Sequence, residues 1–517
     1  MSFEVTTDNI FIQKPVKTSK VKSIVSTDVI VPDTKPDAFN ILQVNAIASV
    51  NEKTVMKDTV TISGNVDYTV LYTGGKDEPE LNNIICQAPF TQQIPVKGVK
   101  NDMPNYVYAD VTHVEFHIQN SRKINLKSVI NFELSLVESK EYNAVTEINS
   151  SADVQCMKES IKHMNMTICQ ESKFFVEEDI YIKNFYEEEK ILKIDCKINS
   201  NEIKIVNNKV IAKGSLDTDI LYTCEGDVCH QESEIPFTEV IDVENIYPEV
   251  TSDIVYKLNS LQYNTEVVNE ETYIRLTAEI SAFIKGYSVC EYEVISDAYS
   301  PDYKFEVNQK NINLMNIREI INNTYQVKEQ FSLAESSPSV VKIYNISLKP
   351  EVDDVTAYDG YLVAEGNIIS NILYLTEDTN LPVYSYEASI PFSFKIKQKD
   401  TGPNDIYDIN VKLENSSFVI KSDKTIEIRA NVATCVKVFS EYEKQIIDFM
   451  KLYEDEPLKK DNQSGITVYF ADKGEKLWDI AKKYKSTTDE ITAINSLEDK
   501  YVLRERRQLI IPKRIIG

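Results

Sequence analysis

The sequence predicts a mainly β protein in which three tandem β-rich, sandwich-like repeats are followed by a small α+β module of βααβ order. Two observations favour this fold class. One pattern of Gly, then Leu-Tyr, then Pro-Phe occurs three times at a period of about 150 residues. The last fifty or so residues follow a different pattern with helical periodicity. A chain that is built of copies is typical of a scaffold.

The three copies of the pattern share their spacing. In each copy the Leu-Tyr pair begins seven residues after the Gly, whereas the distance to Pro-Phe varies, as expected for a surface loop between two strands. The matching residues are Gly64, Leu71-Tyr72 and Pro89-Phe90, then Gly214, Leu221-Tyr222 and Pro236-Phe237, then Gly366, Leu373-Tyr374 and Pro391-Phe392. We therefore place the repeats at residues 1–150, 151–300 and 301–450.

Alternation of apolar and polar residues predicts strands within each repeat. Val66, Tyr68 and Val70 alternate with polar residues in the first copy, and β-branched residues are frequent. Antiparallel sheets are the expected result. The recurring Gly predicts a bulge or a tight crossing where a side chain would clash, and the recurring Pro predicts an edge or the start of a strand. The shared positions are thus expected to be architectural and not chemical.

The segment 451–465 is polar and contains Pro457 and Gly465, so it is predicted to be a flexible linker. The module that follows, residues 466–514, has the order strand, helix, helix, strand. Its first helix carries one buried stripe at i, i+3, i+4 and i+7, formed by Leu477, Ile480, Ala481 and Tyr484.

The second helix of the module should begin with a capping box formed by Thr487 and Glu490. Ile491 and Ile494 are expected on its inner face, and Leu509 and Ile511 should alternate inward on the last strand. Trp478, the single tryptophan of the chain, lies one residue from the buried stripe, about 100° around the helix. We therefore expect its side chain to be at least partly exposed.

The charge of the chain excludes some classes of partner. The whole sequence carries −25, whereas residues 464–517 hold 11 Lys and Arg against 8 Asp and Glu, so the first 463 residues carry −28. Such an acidic body repels phosphate backbones and anionic lipid, which argues against nucleic acid and membrane partners. The N-terminal residues do not have the pattern of a secretion signal, and no run reaches the roughly 18 apolar residues of a membrane span. We expect a cytosolic protein without membrane insertion.

The sequence contains little that indicates catalysis, a metal or a cofactor. His113 and His117 lie on a predicted strand, about 13 Å apart, too far for one metal ion. Cys224, Cys229 and His230 lie in the variable loop of the second repeat, and a pair of loop thiols is a simpler interpretation than a metal site. The eight cysteines are expected to be free thiols. We predict no enzyme activity and no cofactor.

Residues 466–512 resemble a LysM domain, whose pattern runs Gly-Asp-Thr-Leu-Trp-x-Ile-Ala, then Asn, then Leu-x-Ile-Pro. The matching residues are Gly474, Leu477, Trp478, Ile480, Ala481, Asn495, Leu509, Ile511 and Pro512. Glu475 and Lys476 replace the Asp and Thr of the pattern, and Arg506 stands where the family usually has Gly. These departures cluster at the loops with which LysM domains commonly hold N-acetylglucosamine chains.

The three repeats resemble SPOCS repeats, which are typical of proteins related to the spore coat, through the Gly, Leu-Tyr and Pro-Phe positions given above. The resemblance implies a non-enzymatic assembly factor in the mother-cell cytoplasm, at the forespore surface. It also implies that the LysM domain binds the coat basement ATPase SpoIVA and that the protein recruits other coat proteins.

An aromatic residue surrounded by basic residues is the predicted binding site of the module. An exposed Trp is a residue type that is frequent in binding hot spots, and positive charge suits an acidic protein surface. The predicted partner-binding residues are Ile466, Lys476, Trp478, Lys482 and Arg506. The alternative interpretations are that Trp478 is kept for packing and that the lysines form an ordinary solvated helix surface.

Two functions from different classes fit these observations. The first is a structural adaptor that docks on a protein through its LysM domain. The second is a peptidoglycan-binding protein whose LysM domain holds glycan. A chain without a secretion signal does not readily meet peptidoglycan, and no hydrolase motif accompanies the LysM domain, so the adaptor is favoured.

Overall fold

Long antiparallel strands dominate the computed structural model of the chain. It describes residues 3–16, 21–75, 80–186, 188–269, 271–378, 381–402, 404–458, 466–497 and 502–512. The predicted mainly β fold, with three sandwich-like repeats and a βααβ module, is confirmed. No helix in these residues is long and apolar enough to cross a membrane.

The strands fall into three sets, which we call repeats 1, 2 and 3 and together the body. Repeat 1 contains β1 (Phe3–Pro15), β2 (Val21–Ile30), β3 (Ala38–Met56), β4 (Thr59–Gly74), β5 (Glu80–Pro95), β6 (Asn105–Asn120) and β7 (Lys123–Ser150). Repeat 2 contains β8 (Gln155–Tyr181), β9 (Ile191–Val206), β10 (Lys209–Cys224), β11 (Asp227–Asp242), β12 (Thr251–Val268) and β13 (Glu271–Tyr299). Repeat 3 contains β14 (Tyr303–Ser332), β15 (Lys342–Tyr358), β16 (Tyr361–Leu375), β17 (Val383–Lys397), β18 (Asp405–Ser422) and β19 (Thr425–Pro457).

Each repeat is a sandwich of two antiparallel sheets with an apolar core between them. One sheet is a three-stranded meander, with the orders β3-β4-β5, β9-β10-β11 and β15-β16-β17. The other sheet is built on a long central strand, β7, β13 or β19. In repeats 2 and 3 a single long strand pairs along that central strand, whereas β1 and β2 divide this role in repeat 1.

The recurring Gly has the same structural role in all three repeats. Gly64, Gly214 and Gly366 each lie where the preceding strand of the meander has a β-bulge, and each is directly opposite the Phe of the Pro-Phe pair on the following strand. A Cβ at any of these glycines would overlap a carbonyl oxygen of the bulged strand and lie within 2.7 Å of the Phe ring. The predicted bulge and tight crossing are therefore confirmed.

The Leu-Tyr pair makes contacts both within each repeat and between the repeats. Each Tyr is buried in its own sandwich and donates its hydroxyl to a loop carbonyl, which is Pro36 O at 3.1 Å, Lys183 O at 3.0 Å and Pro338 O at 3.0 Å in turn. The three Leu side chains come together in one apolar cluster between the repeats. One motif thus fixes a loop within each repeat and joins the repeats to one another.

The repeats also meet around a cavity of about 2670 Å³ that is lined by strands from all three of them. Several lysines cross from one repeat to the next beside it. Lys193 donates to Gln43 at 2.9 Å, Lys257 donates to Ala48 O, and Lys349 donates to Val111 O at 2.9 Å. Lysines that donate to the carbonyls of edge strands satisfy groups that would otherwise be free to pair with another chain.

The C-terminal module contains β20 (Ile466–Ala471), α1 (Leu477–Tyr484), α2 (Thr488–Asn495) and β21 (Arg507–Pro512). Strand β19 continues to Pro457, so the predicted linker 451–465 begins inside that strand. Its residues 459–465 lie outside the described residues.

Candidate functional site

Helix α1 is placed by the stripe that the sequence predicts. Leu477, Ile480 and Ala481 are buried against β21, α2 and the end of β20, and Tyr484 is half-buried against the ring of Tyr469. Lys476, at the N-cap, makes no side-chain capping hydrogen bond. The helix is therefore held by packing and not by a cap at its start.

Trp478 is half-buried, in agreement with the expectation of partial exposure, but its covered side faces repeat 2. Its ring lies edge-on to the ring of Tyr299, with 5.0 Å between the centroids. The indole Nε1 donates to Asp297 Oδ2 at 2.7 Å. We call Trp478 and Lys482, which is one helical turn further along α1, the helix face of the module.

Lys482 extends the same contact. Its ammonium donates to both carboxylate oxygens of Asp297, at 2.7 and 2.9 Å. The hydroxyl of Tyr299 donates to Ser486 O at 2.8 Å, at the end of α1. The helix face is thus docked on the end of strand β13 through one aromatic pair and several polar contacts.

The second helix agrees with the sequence at its start and differs from it at its end. The capping box of Thr487 and Glu490 is present, and Ile491 is buried. Ile494 is 48% exposed, so the prediction that it lies on the inner face is wrong. The half-buried Asn495 instead binds the backbone of β21, where its side chain donates to Ile510 O and accepts from Ile510 N–H, both at 2.7 Å.

The two strands of the module carry an open apolar surface. Leu509 and Ile511 are buried on the side of the helices, as predicted, so the alternate residues point outward. Val468 and Ile510 are opposite each other in the register. We call the outward set the strand face; its exposed fractions are 58% for Ile466, 50% for Val468, 64% for Phe470 and 37% for Ile510.

The departures from the LysM pattern have structural partners. Glu475 accepts hydrogen bonds from the Asp472 backbone N–H at 3.2 Å and from the Tyr469 hydroxyl at 3.0 Å. The hydrogen bond to this carboxylate raises the pKa of Tyr469 above its ordinary value. Arg506 lies 3.3 Å from Asp472 in an exposed ion pair. The residues that depart from the pattern thus make local contacts with Tyr469 and Asp472.

The five predicted partner-binding residues do not form one surface. Ile466 belongs to the strand face, whereas Trp478 and Lys482 form the helix face. Lys476 is exposed at the start of α1, and Arg506 is exposed before β21. Val468, Phe470 and Ile510 were not predicted as site residues. The alternation along β20 could have identified the first two, because a two-stranded sheet covered on one side leaves its other side open.

The residues considered for metal chemistry lie in structural positions. His113 and His117 are both on strand β6, as predicted. Cys224 and Cys229 form a disulfide across the hairpin of β10 and β11, so the expectation of free thiols is wrong for this pair. The two-residue turn Glu225-Gly226 between β10 and β11 brings the Cα atoms of the two cysteines to 5.8 Å, a separation that the sequence spacing alone does not reveal.

The fold and the site define a modular protein in which a β-sandwich body carries a small binding domain. A family model described as the SipL SPOCS domain matches residues 37–119, 189–266 and 339–421, and the LysM domain model matches residues 472–512. The chain therefore has the SipL architecture, with three SPOCS domains followed by one LysM domain. Neither the curated proteins nor the solved structures gave a significant match.

These matches support a sporulation-related LysM protein. SPOCS and LysM domains are families of non-catalytic binding domains, and a LysM domain suggests a glycan or a protein as the ligand. The choice between these ligands depends on the surface of the module.

Proposed function

We propose that this protein is a non-enzymatic adaptor of spore coat assembly that binds the ATPase SpoIVA through its LysM domain. In this role it acts in the mother-cell cytoplasm and helps to localise coat proteins around the forespore. The observation that carries the proposal is the strand face, an open apolar surface on a domain whose family binds ligands.

The chemistry of the strand face favours a protein partner. It consists of one aromatic and three aliphatic side chains on a flat two-stranded sheet. Contiguous exposed apolar surface on a soluble domain is typical of protein–protein contact. The loops with which LysM domains commonly hold glycan carry Glu475, Lys476 and Arg506 here in place of the Asp, Thr and Gly of the pattern, which does not favour a glycan ligand.

The body supports the adaptor role in a different way. The recurring Gly, Leu-Tyr and Pro-Phe residues make contacts inside the sandwiches and between them. The repeats therefore form one frame and not three independent binding sites. In this proposal the frame holds one LysM domain at the end of repeat 2, and the outer strands of the body bind other coat proteins.

Binding of purified SpoIVA to the full-length chain tests this proposal. The wild type is compared with Phe470→Glu, which places a charge on the strand face, and with Ile494→Glu, which places the same charge on an exposed apolar position of α2. We expect the wild type and Ile494→Glu to bind and Phe470→Glu to lose binding, because charge in a desolvated contact is costly.

A parallel sedimentation assay with insoluble peptidoglycan separates the two ligand classes. The proposal expects no co-sedimentation of the wild type above that of a protein without a LysM domain. Retention on peptidoglycan together with no binding of SpoIVA would replace the adaptor by the glycan-binding protein.

A further inference from the structure

The contact between the helix face and repeat 2 holds the LysM domain against the end of β13. It is centred on Asp297 and Tyr299, and Tyr299 is the one body residue in the apolar cluster of the described LysM residues. Among the described residues, the two domains are joined by the Tyr299–Trp478 ring pair, the hydrogen bond of Tyr299 to Ser486 O, and the contacts of Asp297 with Trp478 and Lys482. We therefore expect the loss of one of these interactions to weaken the contact.

Asp297 is the centre of these interactions. Its carboxylate receives the indole N–H of Trp478 and the ammonium of Lys482, and its side chain is only 16% exposed. Hydrogen bonds to a charged group are about twice as strong as neutral ones. Without the module, the carboxylate would lose both of these partners.

The local structure of β13 presents Asp297 to the module. The pairing of β13 with β8 shifts by one residue between Ile295 and Asp297, and Ser296 donates its hydroxyl to Met157 O at 3.1 Å across the shift. Bulges of this kind redirect side chains at the rim of a sheet. The docking site is therefore built into β13, at the end of the central strand of its sheet in repeat 2.

The closure covers one surface of the module and leaves the other open. The strand face lies on the opposite side of the two-stranded sheet from the helices, so it remains accessible while α1 is docked. A partner can thus reach Ile466, Val468 and Phe470 first. Full access to the ring of Trp478 and to the ammonium of Lys482 requires that their contacts with Asp297 and Tyr299 break.

We propose that Asp297 and Tyr299 hold the LysM domain in a closed state and compete with a protein partner for the helix face. The second half of this proposal depends on the proposed function, because it assumes that the LysM domain binds SpoIVA. The first half does not, because the closed state is a property of the chain alone. In a closed state the apparent affinity for a partner is reduced by the fraction of molecules that are open.

Trp478 makes the closed state measurable, because it is the single tryptophan in the sequence. The experiment is acrylamide quenching of its fluorescence in the full-length chain. Asp297→Ala removes the acceptor of both contacts, and Lys482→Ala removes the ion pair from an exposed position that supports no core packing. Asp242→Ala, which removes an exposed carboxylate of repeat 2 near Lys209, is the matched control.

We expect the quenching constant to rise about twofold or more in Asp297→Ala and to a smaller extent in Lys482→Ala, because the open state gains population. The control should equal the wild type. Identical quenching in the wild type and in both variants would overturn the closed state. Lys482→Ala keeps the test decisive even where Asp297→Ala disturbs the end of β13.

Titration of the same proteins with purified SpoIVA tests the competition. On the order of tenfold tighter binding by Asp297→Ala supports it, since a conformational cost is removed. Unchanged or weaker binding by Asp297→Ala in which quenching shows released Trp478 overturns it. If neither the wild type nor any variant binds SpoIVA, the proposed function fails, and the quenching result still decides whether the closed state exists.

Discussion

The SPOCS repeats and the LysM domain use their characteristic residues in opposite ways. In the repeats, the Gly and the Phe of Pro-Phe pack against each other beside a bulge, the Tyr holds a loop, and the Leu joins the cluster between repeats. In the LysM domain, the signature Trp478 lies at the surface and contacts another domain. The residues that recur in all three repeats therefore have structural roles, whereas Trp478, which occurs once, lies in a contact between domains.

This difference explains why three copies of a motif do not imply three active sites. A position that occurs in every repeat must satisfy the packing of every repeat, so it is constrained by architecture. Asp297, in contrast, is one carboxylate at the end of one central strand, and it is bonded to a helix 181 residues away in the sequence.

The largest effect on stability is expected at a recurring Gly. In Gly366→Val the side chain would overlap Glu351 O and the ring of Phe392, and overpacking of this kind costs about 3 kcal/mol. Urea unfolding of the full-length protein measures this loss. Ser393→Val, at an exposed position of the neighbouring strand β17, is the control and should change little. Equal stability of the two variants would contradict the architectural role of the motif.

The next effect concerns the strand face. Phe470→Glu should weaken binding of SpoIVA by about 30-fold or more, the usual size for a central aromatic anchor, and should leave the free energy of unfolding almost unchanged. Calorimetric titration and thermal unfolding measure the two quantities. An equal loss of SpoIVA binding in Ile494→Glu would contradict the role of the strand face.

The stability of the body should also depend on pH, because it contains the buried Lys257. Burial lowers the pKa of Lys257 to about 8. Between that value and its unfolded value near 10.5, the unfolded chain holds a proton that the folded chain has lost, so stability rises with pH. Relative to Lys257→Met, the wild type should gain about 1 kcal/mol or more over this range. A difference that is constant with pH would contradict the shift.

A smaller effect is expected where the two domains meet. Tyr299→Phe keeps the ring against Trp478 but removes the hydrogen bond to Ser486 O, a change of about 1 kcal/mol in the closed state. Hydrogen exchange of the backbone around Ser486 should become faster, while exchange within the body stays the same. Unchanged exchange around Ser486 would show that this bond does not hold the closure.

The smallest effect is expected from the exposed basic residues. Lys476→Ala and Arg506→Ala should slow association with SpoIVA by about threefold at low salt and less at high salt, because exposed charges steer encounters and are screened. Stopped-flow or surface-binding kinetics measure this. An equal loss at high salt would assign these residues to the contact itself.

Much of the fold follows from the sequence because it depends on local rules. Alternation predicts the strands, the recurring Gly predicts the bulge crossing, and Thr487 with Glu490 predicts the start of α2. The error at Ile494 has a local cause as well, since periodicity does not reveal that Asn495 binds the backbone of β21.

The features that the sequence does not reveal are contacts between distant segments. Nothing near Asp297 in the sequence indicates that its carboxylate meets Trp478, and the cluster of the three Leu residues requires the arrangement of whole repeats. The strand face could have been recognised, because Ile466, Val468 and Phe470 alternate on a strand whose other side is covered. The predicted site residues therefore lie in the LysM domain and include one residue of the strand face, Ile466, and both residues of the helix face.

The most direct test of the account is a fluorine NMR spectrum of the full-length chain with 5-fluorotryptophan at its one tryptophan, recorded alone and with unlabelled SpoIVA. We expect one resonance for docked Trp478, which Asp297→Ala shifts and which moves again on addition of SpoIVA. A resonance that neither the substitution nor saturating SpoIVA changes would contradict both the closure and its competition with the partner.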